Sequence, residues 1–314
     1  MRQASSLQVE SAPPPRRGVL QSIVLGTARG PVAARVLEGV FYALVIAALA
    51  GACLAVGVVA ASPRADALQQ AALVGAVIVA GGVMVSLCAR IAELFGQRAR
   101  DLTADAIFRA VREGRPAPAY SLYLRPFVST DSIEDYGAAI AVPGAGLALG
   151  GERFELEAQV ERATRGLGRL IGLGGQVEHI GAGRVTVGEQ EWRDAIRTLM
   201  QNSRIIVILP GARQGTLEEI DMVLGGDLVR KTVFLDPPNL GRNKRFDHAG
   251  EWEKVRAAFA AKGFDLPAED RRGALLFYGR EKKPALRERL HIDADDHIER
   301  LFRRVIKMLK TQGA

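Results

Sequence analysis

Two apolar runs, residues 37–61 and 71–89, lie close together near the start of this 314-residue chain. The first carries one charge, Glu38, at its edge, and the second carries none. At about 1.5 Å per residue, each is long enough to cross roughly 30 Å of hydrocarbon. Both are apolar all round rather than along one stripe, which argues against a buried hairpin in a soluble protein. The polar stretch ahead of the first run does not suit a cleaved secretory leader.

The basic residues orient the hairpin. Arg2, Arg16, Arg17, Arg29 and Arg35 precede the first run, and Arg90, Arg98 and Arg100 follow the second. Only Arg64 lies between them. Both termini are therefore expected in the cytoplasm, with residues 62–66 outside. Gly51, Gly57, Gly75, Gly81 and Gly82 allow two helices, or two copies of the chain, to approach closely. No ionisable residue sits in the middle of either run, so neither reads as a transport path.

The formal net charge is +7, part of it in the leading tail. A basic tail beside a membrane fits anionic lipid better than nucleic acid. Cys53 and Cys88 both fall inside the runs, which excludes a framework disulfide or a cysteine metal site. The expected organisation is a basic cytoplasmic tail (1–36), two transmembrane helices (37–89), a juxtamembrane helix and linker (90–118) and a cytoplasmic domain (119–314). The linker is placed at Arg115-Pro116-Ala117-Pro118, where proline breaks the helical pattern of residues 90–112.

Beyond that point strand and helix alternate. Strands are expected at 121–127, 177–180, 204–209, 232–235 and 274–278. Helices are expected at 153–171, 191–202, 217–228, 252–262 and 293–310, all but the fourth with a 3.6-residue apolar stripe. The continuous apolar run at 204–209 marks a parallel strand covered on both faces. This predicts a three-layer α/β domain with a mainly parallel five-stranded sheet in the flavodoxin-like order 2-1-3-4-5. Ligands of such sheets bind beyond the carboxyl ends of the strands, where the order reverses. Candidate contacts are therefore Arg125, Phe127, Ser129 and Asp131 after the first strand; Gly181, Gly183 and Arg184 after the second; and Gly211, Thr216 and Glu219 after the third.

At these residues the chain resembles the Toll/interleukin-1 receptor (TIR) superfamily, in particular bacterial TIR-like domains on two-helix membrane anchors. Phe127, Ser129 and Asp131 match an aromatic-Ser-x-x-Asp-like motif with slightly different spacing, residues 181–188 match a mobile loop after the second strand, and Glu219 matches the glutamate of the enzymatic members. The resemblance spans roughly residues 120–310. It implies a membrane-anchored signalling or defence effector that self-associates through this domain, with NAD as a substrate cleaved at its nicotinamide glycosidic bond and no required cofactor. Glu219 would be catalytic and the other nine residues would contact the nucleotide, with Arg125 or Arg184 on the pyrophosphate and Phe127 stacked on a ring. Two features depart from the family: no tryptophan precedes the glutamate, and residues 140–151 insert a glycine-rich apolar loop.

Plainer readings stand beside these. Thr216 to Glu219 has the spacing of a capping box, which would occupy the glutamate structurally. Trp192, on a helical stripe with Ile196 and Leu199, reads as core. His179 has no partner at ligand spacing, so no metal site is expected. Gly181-Ala182-Gly183 is too short for a dinucleotide fingerprint, and no Gly-x-x-x-x-Gly-Lys-Ser/Thr motif occurs. The basic segment 241–245 reads as a solvated turn. A non-enzymatic module that acts by oligomerisation or nucleotide sensing remains the alternative to an enzyme.

Overall fold

The computed structural model describes residues 30–61, 67–125, 156–174, 181–188, 190–238, 248–270, 272–291 and 296–312. Helix α1 spans Pro31–Ala60 and opens on proline, whose missing N–H costs nothing in a first turn. Helix α2 spans Ala67–Arg112 without interruption. The two pack as a hairpin, with Phe41 stacked on Phe95 at 5.7 Å. At Gly81 an added Cβ would lie 3.0 Å from that of Ala52, so the small residue sets the approach of the helices. Both helices are long and apolar enough to cross a membrane. Val40, Ile46, Leu54, Ile78, Val83 and Leu87 are exposed on them, far more apolar surface than water tolerates in one patch.

The second half of α2 behaves differently. Phe95, Ala99, Ala104, Ile107 and Phe108 are buried, and the last three join the core of the α/β domain. The stretch expected as a juxtamembrane helix and linker is thus largely a structural layer of the domain. Helix α2 ends in a Schellman motif: the Arg115 amide donates to the Ala110 carbonyl, and the amide of Gly114, at φ +67°, donates to that of Val111.

Strands β1 (Tyr120–Leu124), β2 (Arg169–Leu173), β3 (Gly183–Val185), β4 (Ile205–Ile208), β5 (Thr232–Asp236), β6 (Ala274–Phe277) and β7 (Leu286–Arg289) form one sheet. Its order is β3-β2-β1-β4-β5-β6-β7. The pairs from β3 to β5 are parallel, and β6 and β7 add antiparallel pairs. Among the described residues the sheet therefore has seven strands where five were expected. The strands expected at 121–127, 204–209, 232–235 and 274–278 appear as neighbours β1, β4, β5 and β6.

The differences have local causes. Residues 153–171 do not form one helix: α3 covers Leu156–Thr164, and a single 3₁₀ turn (Arg165–Leu167) leads into β2. Gly168 forces the break, since it sits at φ +116° and a Cβ there would lie 2.0 Å from the Ala119 carbonyl oxygen. The expected strand at 177–180 lies outside the described residues, while β3 occupies part of the segment expected as a loop. Strand β7, Leu-Arg-Glu-Arg, is an edge strand with little apolar content to announce it.

Helices α4 (Trp192–Asn202), α5 (Gln214–Leu224) and α6 (His248–Ala261) cover one face of the sheet together with the end of α2. Helices α3 and α7 (His297–Gln312) cover the other. Strand β4 is central: Ile206 and Ile208 enter the first layer, Ile205 and Val207 the second, and all four are fully buried. This agrees with the two-sided burial expected of the run at residues 205–209, while Arg204, just before the strand, is exposed.

Candidate functional site

A crevice of about 570 Å³ opens beyond the carboxyl ends of β1, β2 and β3, where the chain reverses direction across the sheet from β1 to β4. Arg125 comes from just past β1, Leu173 and Gly174 from the end of β2 and the residue after it, and Thr186 and Val187 from just past β3. Trp192 comes from the start of α4, and Arg213, Gln214, Gly215, Thr216 and Glu219 from the entry to α5 and its first turns. The walls combine apolar side chains with two guanidinium groups and one acid.

Glu219 is 7% exposed, and its Oε2 has no hydrogen-bond partner. Burial pushes its pKa up to about 8, and the neighbouring Glu218 charge adds to the shift. Glu218 is held elsewhere: Arg193 donates to both of its oxygens, at 2.7 and 3.0 Å, and Gln214 donates at 3.0 Å. Those bonds draw its pKa down. Adjacent residues on one helix thus divide the work, one tying α5 to α4 and the other left bare in the crevice.

The capping-box reading does not survive. Helix α5 begins at Gln214, with Arg213 at the cap position and no side-chain cap bond. Thr216 and Glu219 are therefore inside the helix, where the box cannot form. The first turn of α5 lines the crevice instead and brings its positive end to the ligand space.

Of the expected site residues, Arg125, Thr216 and Glu219 meet at the crevice. Gly181, Gly183 and Arg184 do not line it. Gly181 lies against Glu157, and a Cβ on Gly183 would lie 2.5 Å from the Arg100 carbonyl oxygen, so Gly183 admits α2 rather than a ligand. Arg184 is fully buried and donates from Nη2 to both oxygens of Glu157, at 2.6 and 2.5 Å. Gly211 is buried before α5 and is not part of the lining. Phe127, Ser129 and Asp131 lie outside the described residues, as do residues 140–151 and 241–245.

Trp192 and Arg213 were missed. The apolar stripe made Trp192 read as core, and it does pack partly against the core, yet its ring also borders the crevice, 3.6 Å from where a Gly215 Cβ would be. The signal was its place at the first residue of a helix after a parallel strand. Glu157 was missed too. It accepts the Ala182 amide at 2.7 Å and pairs with Arg125 at 3.5 Å, so one carboxylate serves two arginines behind the crevice wall. Among the described residues no cluster of His, Cys, Asp or Glu could hold a metal ion.

The crevice therefore brings together the guanidinium groups of Arg125 and Arg213, the start of α5, the ring of Trp192 and the buried acid Glu219. No family model, curated protein or solved structure matches the chain.

Proposed function

We propose that this protein is a membrane-anchored, TIR-like effector whose crevice binds a nicotinamide nucleotide and cleaves its glycosidic bond, with Glu219 as the catalytic residue. The observation that carries the reading is the buried, unpartnered carboxyl of Glu219 in the crevice at the switch point of the sheet. Such a group has no structural partner to explain its burial. The two bare apolar helices support the anchor, with both termini on the cytoplasmic side as the arginine distribution predicts.

The chemistry follows from the charge of each part. NAD brings a pyridinium ring, a ribose and a pyrophosphate. Arg125 and Arg213 face the pyrophosphate, and Trp192 offers a stacking face. In the empty crevice at pH 7 Glu219 is mostly protonated, because its pKa stands near 8. A pyridinium cation beside it favours the ionised form, so binding releases a proton. As the bond between C1′ and nicotinamide nitrogen breaks, its electron pair goes to the ring and neutralises it. The developing oxocarbenium ion is then stabilised by the Glu219 carboxylate. Water attacks C1′, and its proton leaves through the same carboxylate, giving ADP-ribose and nicotinamide.

The test is nicotinamide release by full-length protein clustered in vesicles. Glu219→Gln should lower turnover by at least about tenfold, on the order of 1.4 kcal/mol of barrier. Unchanged turnover refutes the catalytic role. Clustered wild-type protein that releases no nicotinamide moves the reading to a non-enzymatic module that works by assembly.

A further inference from the structure

Gln97 and Asp101 stand one turn apart on α2, and both are buried. Together they hold the backbone that enters β3. The Gly181 amide donates to Gln97 Oε1 at 2.9 Å, and Gln97 Nε2 donates to the Ala182 carbonyl at 2.8 Å and to Asp101 Oδ1 at 2.7 Å. The Arg184 amide donates to the same Asp101 oxygen at 2.8 Å. From the other side, Glu157 accepts the Ala182 amide and the Arg184 guanidinium, and it also pairs with Arg125 on the crevice wall. The polar contacts thus run without a gap from α2, through residues 181–184, to Glu157 and Arg125.

We infer that Gln97 and Asp101 are positioning residues for the crevice: by fixing residues 181–184 they fix Glu157, and through it the Arg125 guanidinium that meets the anionic part of a ligand. The ligand half of this statement rests on the nucleotide reading above. Buried polar groups in a packed interior have few alternative partners, so a lost bond at one end is felt at the next. Helix α2 runs unbroken from its bare apolar half into this grip, so a slide or rotation of that half reaches Gln97 and Asp101 directly.

The experiment uses full-length protein in nanodiscs. Gln97→Leu removes the grip while keeping an apolar stem. Amide exchange should rise at least about tenfold at residues 160–164 of α3, which Gln97 does not touch, and stay unchanged in α6. A rise confined to residues 181–184 overturns the inference. The second arm compares ligands. Gln97→Leu should weaken NAD at least about fivefold while leaving nicotinamide riboside, which lacks phosphate, within about twofold. Equal losses for the two ligands overturn the inference. Wild-type protein that binds neither ligand refutes the nucleotide reading, and the exchange result then decides the positioning role alone.

Discussion

The two sides of the crevice bury one glutamate each, to nearly the same extent, in opposite circumstances. On the α3 side Glu157, 5% exposed, sits between two arginines and a backbone amide. On the α5 side Glu219, 7% exposed, has an oxygen with no partner at all. Burial alone therefore does not single out a functional acid. What separates them is compensation: Glu157 is paired with two arginines, while Glu219 has no counter-charge and meets its burial by holding a proton.

The largest expected effect comes from removing the compensated acid. Glu157→Gln leaves the Arg184 charge buried without its counter-ion and should cost about 3–5 kcal/mol. For a domain of this size the melting temperature should drop on the order of 10 °C. A drop too small to resolve would erase the contrast between the two glutamates.

The next effect is pH dependence. Glu219 has a folded-state pKa near 8, above the unfolded value of 4.5, so the native state keeps a proton that the unfolded chain releases. Its contribution is full below pH 4.5 and is lost as pH rises toward 8, at up to about 1.4 kcal/mol per pH unit. Asp236, also pushed up to about 8 by burial and then by Glu269 and Asp270, adds a slope of the same sign. Denaturant titrations from pH 5 to 8 should therefore show wild-type stability falling with pH. In Glu219→Gln the slope should be smaller by one proton's worth, and an identical slope contradicts the buried, unpaired state.

Third, calorimetry of NAD binding at pH 7 in buffers of different ionisation enthalpy should show release of most of one proton, absent in Glu219→Gln. Binding without proton release places the cation away from Glu219. The smallest effect is expected at the neighbouring acid. Glu218→Gln loosens a surface pair with Arg193, which is 62% exposed, and should leave the melting temperature indistinguishable from wild type. A change as large as that at Glu157 would mean that the tie between α4 and α5 holds the crevice together.

Much of the fold was legible in the chain. Strands β1, β4, β5 and β6 follow from apolar runs, and β4 from its lack of polar alternation. Strand β2 was hidden because Leu167 and Leu170 continue the helical stripe of Leu156 and Val160. Gly166 and Gly168 carried the opposing signal, and only the contact of Gly168 with Ala119 makes it decisive. At the site, Arg125 was found from its place just after a strand, and Glu219 from its place near the start of a helix and from the family resemblance. Trp192 was not, because it packs partly against the core and periodicity records only that contact.

The sequence by itself determined the two bare helices, the alternation of strand and helix, and the rim on which a ligand site would lie. These depend on composition and period, which are local. The tertiary structure alone decided that α2 enters the domain as one of its layers, that Glu157 is shared by Arg125 and Arg184, and that Glu218 is tied down while Glu219 is not. Those outcomes depend on which groups from distant segments reach one another, and for a buried charge the presence or absence of a partner within about 4 Å sets its energy.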